Sequence, residues 1–274
     1  MTAVAADSLT APKMLTRRFS VVGIILIAFW VLVVLLMVWA LARSITGDRF
    51  ETYGWRFLSG FWTTIRLVVF SVCIGAVISV PVAAGRLSKN RVLNTLAYCY
   101  SYFFRGTPLI AQLFLIYYGA GEFAGPLKSV GLWWFFRDAF NCAALSFALN
   151  TAAYQSEILS GSIRNVPHGQ REAGAALGLH KLVILWRIVL PQALIVALRP
   201  YGNEVVLMIK ASAVAAIVTV LDLMGETRFI FAKTYDLSFY LWAAVFYLVL
   251  VELLGRAINL IERRITRHTM RRGQ

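Results

Sequence analysis

Residues 161–191 read GSIRNVPHGQREAGAALGLHKLVILWRIVLP. The stretch lies between two long apolar runs and exceeds a simple turn, since most connections take about 4–6 residues. Its chemistry is helical. Pro167 can open a helix, because its fixed φ suits a first turn where its missing N–H is not needed. Glu172-Ala173-Gly174-Ala175-Ala176-Leu177 puts small residues on a helical repeat, which allows a partner to approach closely. Gly178 is placed to end that helix as a left-handed cap. Leu179 to Leu190 forms a second amphipathic stretch, with Leu182, Leu185 and Val189 on one face and Lys181 on another. Pro191 is expected to start the next membrane helix. The spacing predicts two short helices at about a right angle on a membrane surface. Taken on its residues alone, the segment is explained equally well as an amphipathic loop resting on lipid headgroups.

Outward from this loop the chain is apolar. Hydrophobic residues make up 59% of 274 and charged residues 15%, where a soluble domain carries about 45–50% and about 25%. Mean hydropathy is +0.71. Hydrophobicity excludes intrinsic disorder, and three cysteines, Cys73, Cys99 and Cys142, exclude a disulfide scaffold. About 20 apolar residues are needed to cross some 30 Å of hydrocarbon. Six stretches qualify: about 20–42, 59–85, 92–119, 139–160, 192–219 and 237–260. The expected fold is therefore an all-α polytopic membrane protein with six transmembrane helices. The first run, Val21 to Ala42, is too long for a signal peptide and is read as a retained helix. The third is interrupted by Arg105-Gly106-Thr107-Pro108.

The chain carries 27 Lys and Arg against 13 Asp and Glu, a net charge of +14. With the N-terminus inside, basic residues concentrate on the cytoplasmic connections. They are Lys13, Arg17 and Arg18 ahead of the first span; Arg86, Lys89 and Arg91; Arg164, Arg171, Lys181 and Arg187; and a C-terminal group from Arg256 to Arg272. Asp48, Glu51, Glu122, Asp138, Asp222, Glu226 and Asp236 fall on the other side. The basic excess is largely a topology signal, so nucleic acid is not the expected partner. Both termini are expected in the cytoplasm.

Glu172-Ala173-Gly174, three residues, Gly178, nine residues, then Ile188-Val189-Leu190-Pro191 resembles the "EAA" motif, E-A-A-x3-G-x9-I-x-L-P, of binding-protein-dependent ABC importer permeases. Gly174 replaces the second Ala of that motif, keeping the residue small but weakening the helix by about 1 kcal/mol. Phe104-Arg105-Gly106-Thr107-Pro108-Leu109 with Gln112, Asn150 through Ile158, and Pro200-Tyr201-Gly202-Asn203-Glu204-Val205 resemble polar amino-acid permeases. The wording is similar to the second permease subunit of histidine/lysine-arginine-ornithine and octopine/nopaline transport systems. The resemblance runs from about Trp55 to Arg264. It implies an ABC importer permease core at 55–264, a five-helix type I core preceded by an extra helix and external loop within 1–54, and a basic tail at 265–274. It also implies a coupling helix that docks on a separate ATP-binding subunit through Glu172, Ala173, Gly174, Gly178, Ile188, Leu190 and Pro191. A dimer of that ATPase, a second homologous permease and a periplasmic or lipid-anchored substrate-binding protein would complete a transporter in the bacterial inner membrane. The cargo implied is a cationic amino acid or an opine, with glutamine, glutamate or another polar amino acid as the alternative.

Ionisable groups at membrane depth cost several kcal/mol unless paired or hydrated. Glu157 ends span four, where Arg164 is a sequence-near partner; it faces either a translocation path or a structural ion pair. Glu204 lies roughly thirteen residues into span five, about 20 Å at helical rise. It is either an acid that meets a cationic substrate or the partner of a base on another helix. Arg199 and Lys210 do not share its face. Arg199-Pro200 is expected to mark a kink with Arg199 snorkelling, and Glu252 to bond Arg256 one turn on. Arg105 sits at the break in span three, where freed backbone groups can meet a ligand or where a helix simply ends. Tyr154, Gln155 and Asn203 either line the path or hydrogen-bond between helices.

No phosphate loop occurs, so ATP and Mg are expected on a partner, with no cofactor bound by this chain. His168, His180 and His268 have no ligand spacing with the cysteines, and no metal site is expected. A chain with a docking loop and no energy source needs an ATPase. The rival reading is a secondary transporter whose intramembrane carboxylates carry protons.

Overall fold

Hydrocarbon offers no hydrogen bonds, so a spanning backbone must satisfy its own polar groups, and helices do so within one segment. The computed structural model of the chain describes residues 21–45 and 48–270, and no strand occurs among them. Lys13, Arg17, Arg18, Arg271 and Arg272 of the orientation argument lie outside the described residues.

The chain divides into two compact units, Met1–Thr46 and Gly47–Gln274. The first contains α1 (Val21–Ile45). Its Val21–Ser44 stretch has a mean hydropathy of 3.3, and its apolar side chains are exposed, as suits a helix whose solvent is lipid.

The second unit begins with α2 (Asp48–Leu87), which contains the expected 59–85 span and extends beyond it toward the N-terminus. Phe57 on that extension is buried and stacks on Phe239 and Phe246, with ring centroids 5.9 and 5.8 Å away. The third expected span is split into α3 (Arg91–Gly106) and α4 (Leu109–Glu122), parted by extended Thr107 and Pro108. The break follows from proline, which disfavours helical geometry in the residue before it. Two short helices, α5 (Ala124–Ser129) and α6 (Trp133–Phe136), lead to α7 (Ala139–Arg164). Asp138 caps α7, its carboxylate accepting from the Asn141 N–H at 2.9 Å.

α7 is the centre of the unit, packed by α2, α3, α4 and α10. Small residues allow this. At Gly75 of α2 a Cβ would stand 2.5 Å from the Thr151 methyl, so α2 and α7 meet there only because glycine has none. Leu67, Leu113, Phe147 and Met208 form the middle of the core. Phe57, Leu223, Ile230 and Phe239 close one end, and Ala83, Ile163, Ile184 and Val189 the other.

Among the described residues, four helical stretches are long and apolar enough to cross a membrane: Val21–Ser44, Glu51–Leu87, Lys181–Val218 and Ser238–Ile265. The remaining two expected spans have other signatures. Residues 92–119 are divided into helices of 16 and 14 residues. Residues 139–160 turn Ser146, Asn150, Thr151, Gln155 and Ser156 into the protein, so polarity there reflects neighbours, not water.

After α7 comes α8 (His168–Ala176), then Gly178 with φ +72, the left-handed turn anticipated from its position. The second amphipathic stretch differs from expectation. It is not a separate surface helix ended by Pro191. It runs as α9 (Lys181–Val183), a π-helical segment Ile184–Val189, α10 (Leu190–Ala211) and a 3₁₀ segment Ser212–Val218. Proline inside a helix removes one hydrogen bond and crowds a carbonyl one turn back. The wider π-turn just before Pro191 accommodates both. A further helix, α11 (Leu223–Thr234), occupies a region expected as external loop. It is nucleated by Asp222, whose Oδ1 accepts from the Gly225 N–H at 2.8 Å, and held by buried Leu223 and Ile230. α12 (Ser238–Met270) completes the unit.

Candidate functional site: an exposed loop helix and a buried polar stripe

α8 presents Glu172 and Ala173 to the outside and buries Gly174. A Cβ on Gly174 would lie 3.0 Å from Ile184 Cγ1 and 3.1 Å from Ile188 Cδ1. The small residue of the motif therefore serves contact with the chain's own π-turn, whereas the sequence suggested contact with a partner. Arg171 adds a second tie, its Nη2 donating to the Ile163 carbonyl at the end of α7. Ile188 and Leu190 are half-buried on the continuous helix behind α8, and Pro191 beside them is exposed. Gly178 is exposed on the turn between the two arms. The motif residues are thus divided between a presented helix and its support.

Several of the ionisable side chains meet along α7. Glu157 Oε1 accepts from Arg86 Nε at 2.7 Å, and its Oε2 is 4.0 Å from Arg105 Nη1. Arg164, the partner expected from sequence, instead donates to the Arg86 carbonyl at 2.7 Å. A sequence-near base loses here because α7 continues to Arg164, while packing brings the ends of α2 and α3 across Glu157. Arg105 also lies over the Tyr154 ring, 5.3 Å from its centroid. Arg105, Tyr154 and Glu157 are therefore brought together.

Glu204 is buried and accepts from the Thr151 hydroxyl at 2.9 Å. Gln155 Nε2 donates to the same hydroxyl at 3.2 Å, and Tyr201 donates to the Gln155 carbonyl at 3.3 Å. The result is a polar stripe between α7 and α10. Asn203, next to Glu204, is exposed and outside the stripe. Gln112 is buried at the break in span three. Its Nε2 donates to the Phe104 and Thr107 carbonyls at 2.8 and 3.1 Å, and its Oε1 accepts from Asn150 at 3.0 Å. It satisfies carbonyls that the proline break leaves without helical donors.

Arg199 does not simply snorkel; it pairs with Glu262 of α12 at 3.0 Å. Glu252 bonds Arg256 at 2.7 Å as its spacing foretold. Arg86 and Thr151 were not singled out from sequence, because each acquires its role through a contact distant along the chain. Among the described residues no three His, Cys, Asp or Glu side chains converge as a metal site.

Residues 75–267 match the family described as binding-protein-dependent transport system inner membrane component. The nopaline transport system permease protein NocM of Agrobacterium fabrum is 45% identical over 208 residues, covering 76% of this chain and 86% of the relative. The octopine transport system permease protein OccM of Rhizobium meliloti is 38% identical, covering 75% and 84%. The histidine/lysine/arginine/ornithine transport system permease protein HisM of Escherichia coli K12 is 39% identical, covering 79% and 91%. Among solved structures, a chain of an amino acid ABC transporter with histidines superposes with a TM-score of 0.69 at 30% identity, over 80% of this chain and 99% of that one. A chain of the MetNI methionine ABC transporter shares the fold, with a TM-score of 0.66 at 21% identity, over 81% and 100%. The chain belongs to the binding-protein-dependent transport system inner membrane components, as a multi-pass permease subunit of an amino-acid ABC importer.

Proposed function

We propose that this chain forms the membrane half of an ATP-driven importer of cationic amino acids or opines, with six spans and both termini in the cytoplasm. α8 is the handle for a separate ATP-binding subunit, which holds ATP and Mg. A second permease and a substrate-binding protein complete the assembly. The observation that carries the docking role is the joint between α8 and the helix behind it. Gly174 seats against Ile184 and Ile188, and the π-turn that bears them continues into α10 without interruption. A push on Glu172 and Ala173 is then delivered along α10 to Glu204, Thr151 and the polar stripe. Packed helices transmit such a push as a rigid displacement because interiors are close-packed. ATPase closure would turn the two permeases from inward-open to outward-open.

The cargo class rests on the three permeases above, named for nopaline, octopine, and histidine, lysine, arginine and ornithine. The carboxylate of Glu204 suits a cation passing between α7 and α10, while Glu157 is already offset by Arg86 and Arg105. The test is ATP hydrolysis by the complex in lipid discs, with arginine, histidine, an opine or glutamine presented on the binding protein. Stimulation by cationic ligands or the opine supports the reading. Stimulation by glutamine alone overturns the cargo.

A further inference from the structure

A cavity of about 1160 Å³ opens along the second unit, among α2, the end of α7, α8, the π-turn, α10 and α12. It exceeds the roughly 300–1,000 Å³ of ordinary small-molecule pockets. Its walls are apolar for most of their length, with Val80, Ala83 and Leu87 from α2 facing Leu194 and Leu198 of α10. The π-turn contributes Ile184, Leu185, Trp186 and Val189. Arg171 and Lys181 are the charged residues that line it, and both are cations. They come from α8 and α9, so the charge is gathered at the loop end of the trough.

Arg171 supplies a second observation. Its Nε is buried and has no hydrogen-bond partner, although Nη2 is satisfied by the Ile163 carbonyl. Buried donors are normally paired, and a charged one without an acceptor is costly. Arg171 lines the mouth of the cavity, where an anionic oxygen would meet its guanidinium. Apolar walls ending in two cations match one kind of molecule on both counts, an anionic lipid with its tails in the trough and its phosphate on Arg171 and Lys181. A zwitterionic lipid offers the same tails but offsets its phosphate with its own amine. A helix of a neighbouring protein would bring a carboxylate in place of the phosphate, and retention of the lipid tells the two apart.

We propose that this cavity is a binding site for an anionic phospholipid of the phosphatidylglycerol type. The lipid wedges between α2 and the α8–π-turn joint, and so braces the element that receives the push on α8. The inference depends on the cavity and its two cations and is independent of the cargo.

The experiment uses the purified complex, stripped with mild detergent and reloaded from vesicles of phosphatidylglycerol and phosphatidylethanolamine. Native mass spectrometry reads the retained lipid. Phosphatidylglycerol should be retained over phosphatidylethanolamine by roughly five-fold for each cation engaged. Arg171→Gln with Lys181→Gln should bring the two lipids to parity, whereas Arg187→Gln, an exposed cation outside the cavity, should leave the preference intact. Phosphatidylglycerol with brominated chains should also quench Trp186 in the unaltered cavity, and Trp186→Phe should remove that share of the quenching. Equal retention of both lipids, a preference that survives the double substitution, or quenching indifferent to Trp186 would each overturn the site.

Discussion

Gly174 seats against Ile184 more tightly than a side chain would ordinarily allow: a Cβ there would stand 3.0 Å from Ile184 Cγ1 and 3.3 Å from its Cδ1. This pair fixes α8 to the π-turn and through it to α10. Gly174→Ala requires Ile184 and Ile188 to yield by a few tenths of an ångström, against a helix-propensity gain of about 1 kcal/mol. It should therefore be tolerated. Gly174→Leu has no room and should lift α8 from its seat. We expect the leucine variant to insert normally but to lose most ligand-stimulated ATP hydrolysis in lipid discs. Wild-type stimulation in that variant would show that the joint does not transmit motion.

Glu157 sits between two arginines from different helices, Arg86 at 2.7 Å and Arg105 at 4.0 Å. Glu157→Gln leaves both cations without their carboxylate, so its cost should exceed that of Arg86→Gln, where Arg105 remains. A double-mutant cycle on Glu157 and Arg86, read by thermal unfolding in detergent, should give a coupling of about 0.5–3 kcal/mol. Additive losses would mean that the pair is incidental.

The loop motif was legible in sequence because its signal is local: the turn at Gly178 and the exposed Glu172 follow from neighbours within one or two helical turns. The partner of Glu157 was not, since Arg86 lies 71 residues away and only tertiary packing joins them. Gln112 carries no local sign of its bonds, because which carbonyls it serves is set by the break at Pro108. α7 carries buried polar residues that lower its hydropathy, and α11 depends on a cap at Asp222 whose effect requires the buried Leu223 behind it. The small size of Gly174 predicts a close approach without naming the surface, and the surface it meets is the chain's own Ile184 and Ile188.

Glu204 accepts a hydrogen bond from Thr151, and a glutamine at 204 can still accept it through its Oε1. Glu204→Gln therefore removes charge with little disturbance of packing. Uptake of arginine or histidine should fall several-fold more than uptake of a neutral amino acid. An equal loss for both would assign Glu204 to structure alone.

Asp222 caps α11 outside the apolar spans, and burial raises its carboxyl from the usual 3.8 to about 6. A raised folded-state value means that the fold favours the protonated form. The resulting stability is fully present below about 4 and is lost as pH rises through about 6, a change on the order of 2–3 kcal/mol. Asp222→Asn keeps an acceptor for the Gly225 N–H and does not titrate. Its melting temperature relative to wild type should rise between pH 4 and pH 7. A difference that is flat across that range would contradict the assignment.

The most direct measurement of the docking account is co-purification of the ATP-binding subunit through this chain, comparing wild type with Glu172→Lys. The substitution reverses a charge on the exposed face of α8 and touches neither Gly174 nor the core. The account predicts that wild type retains the ATP-binding subunit, whereas the variant inserts in the membrane equally well and retains little of it. Equal retention by the two, with equal uptake, would contradict the role of α8 as the docking handle.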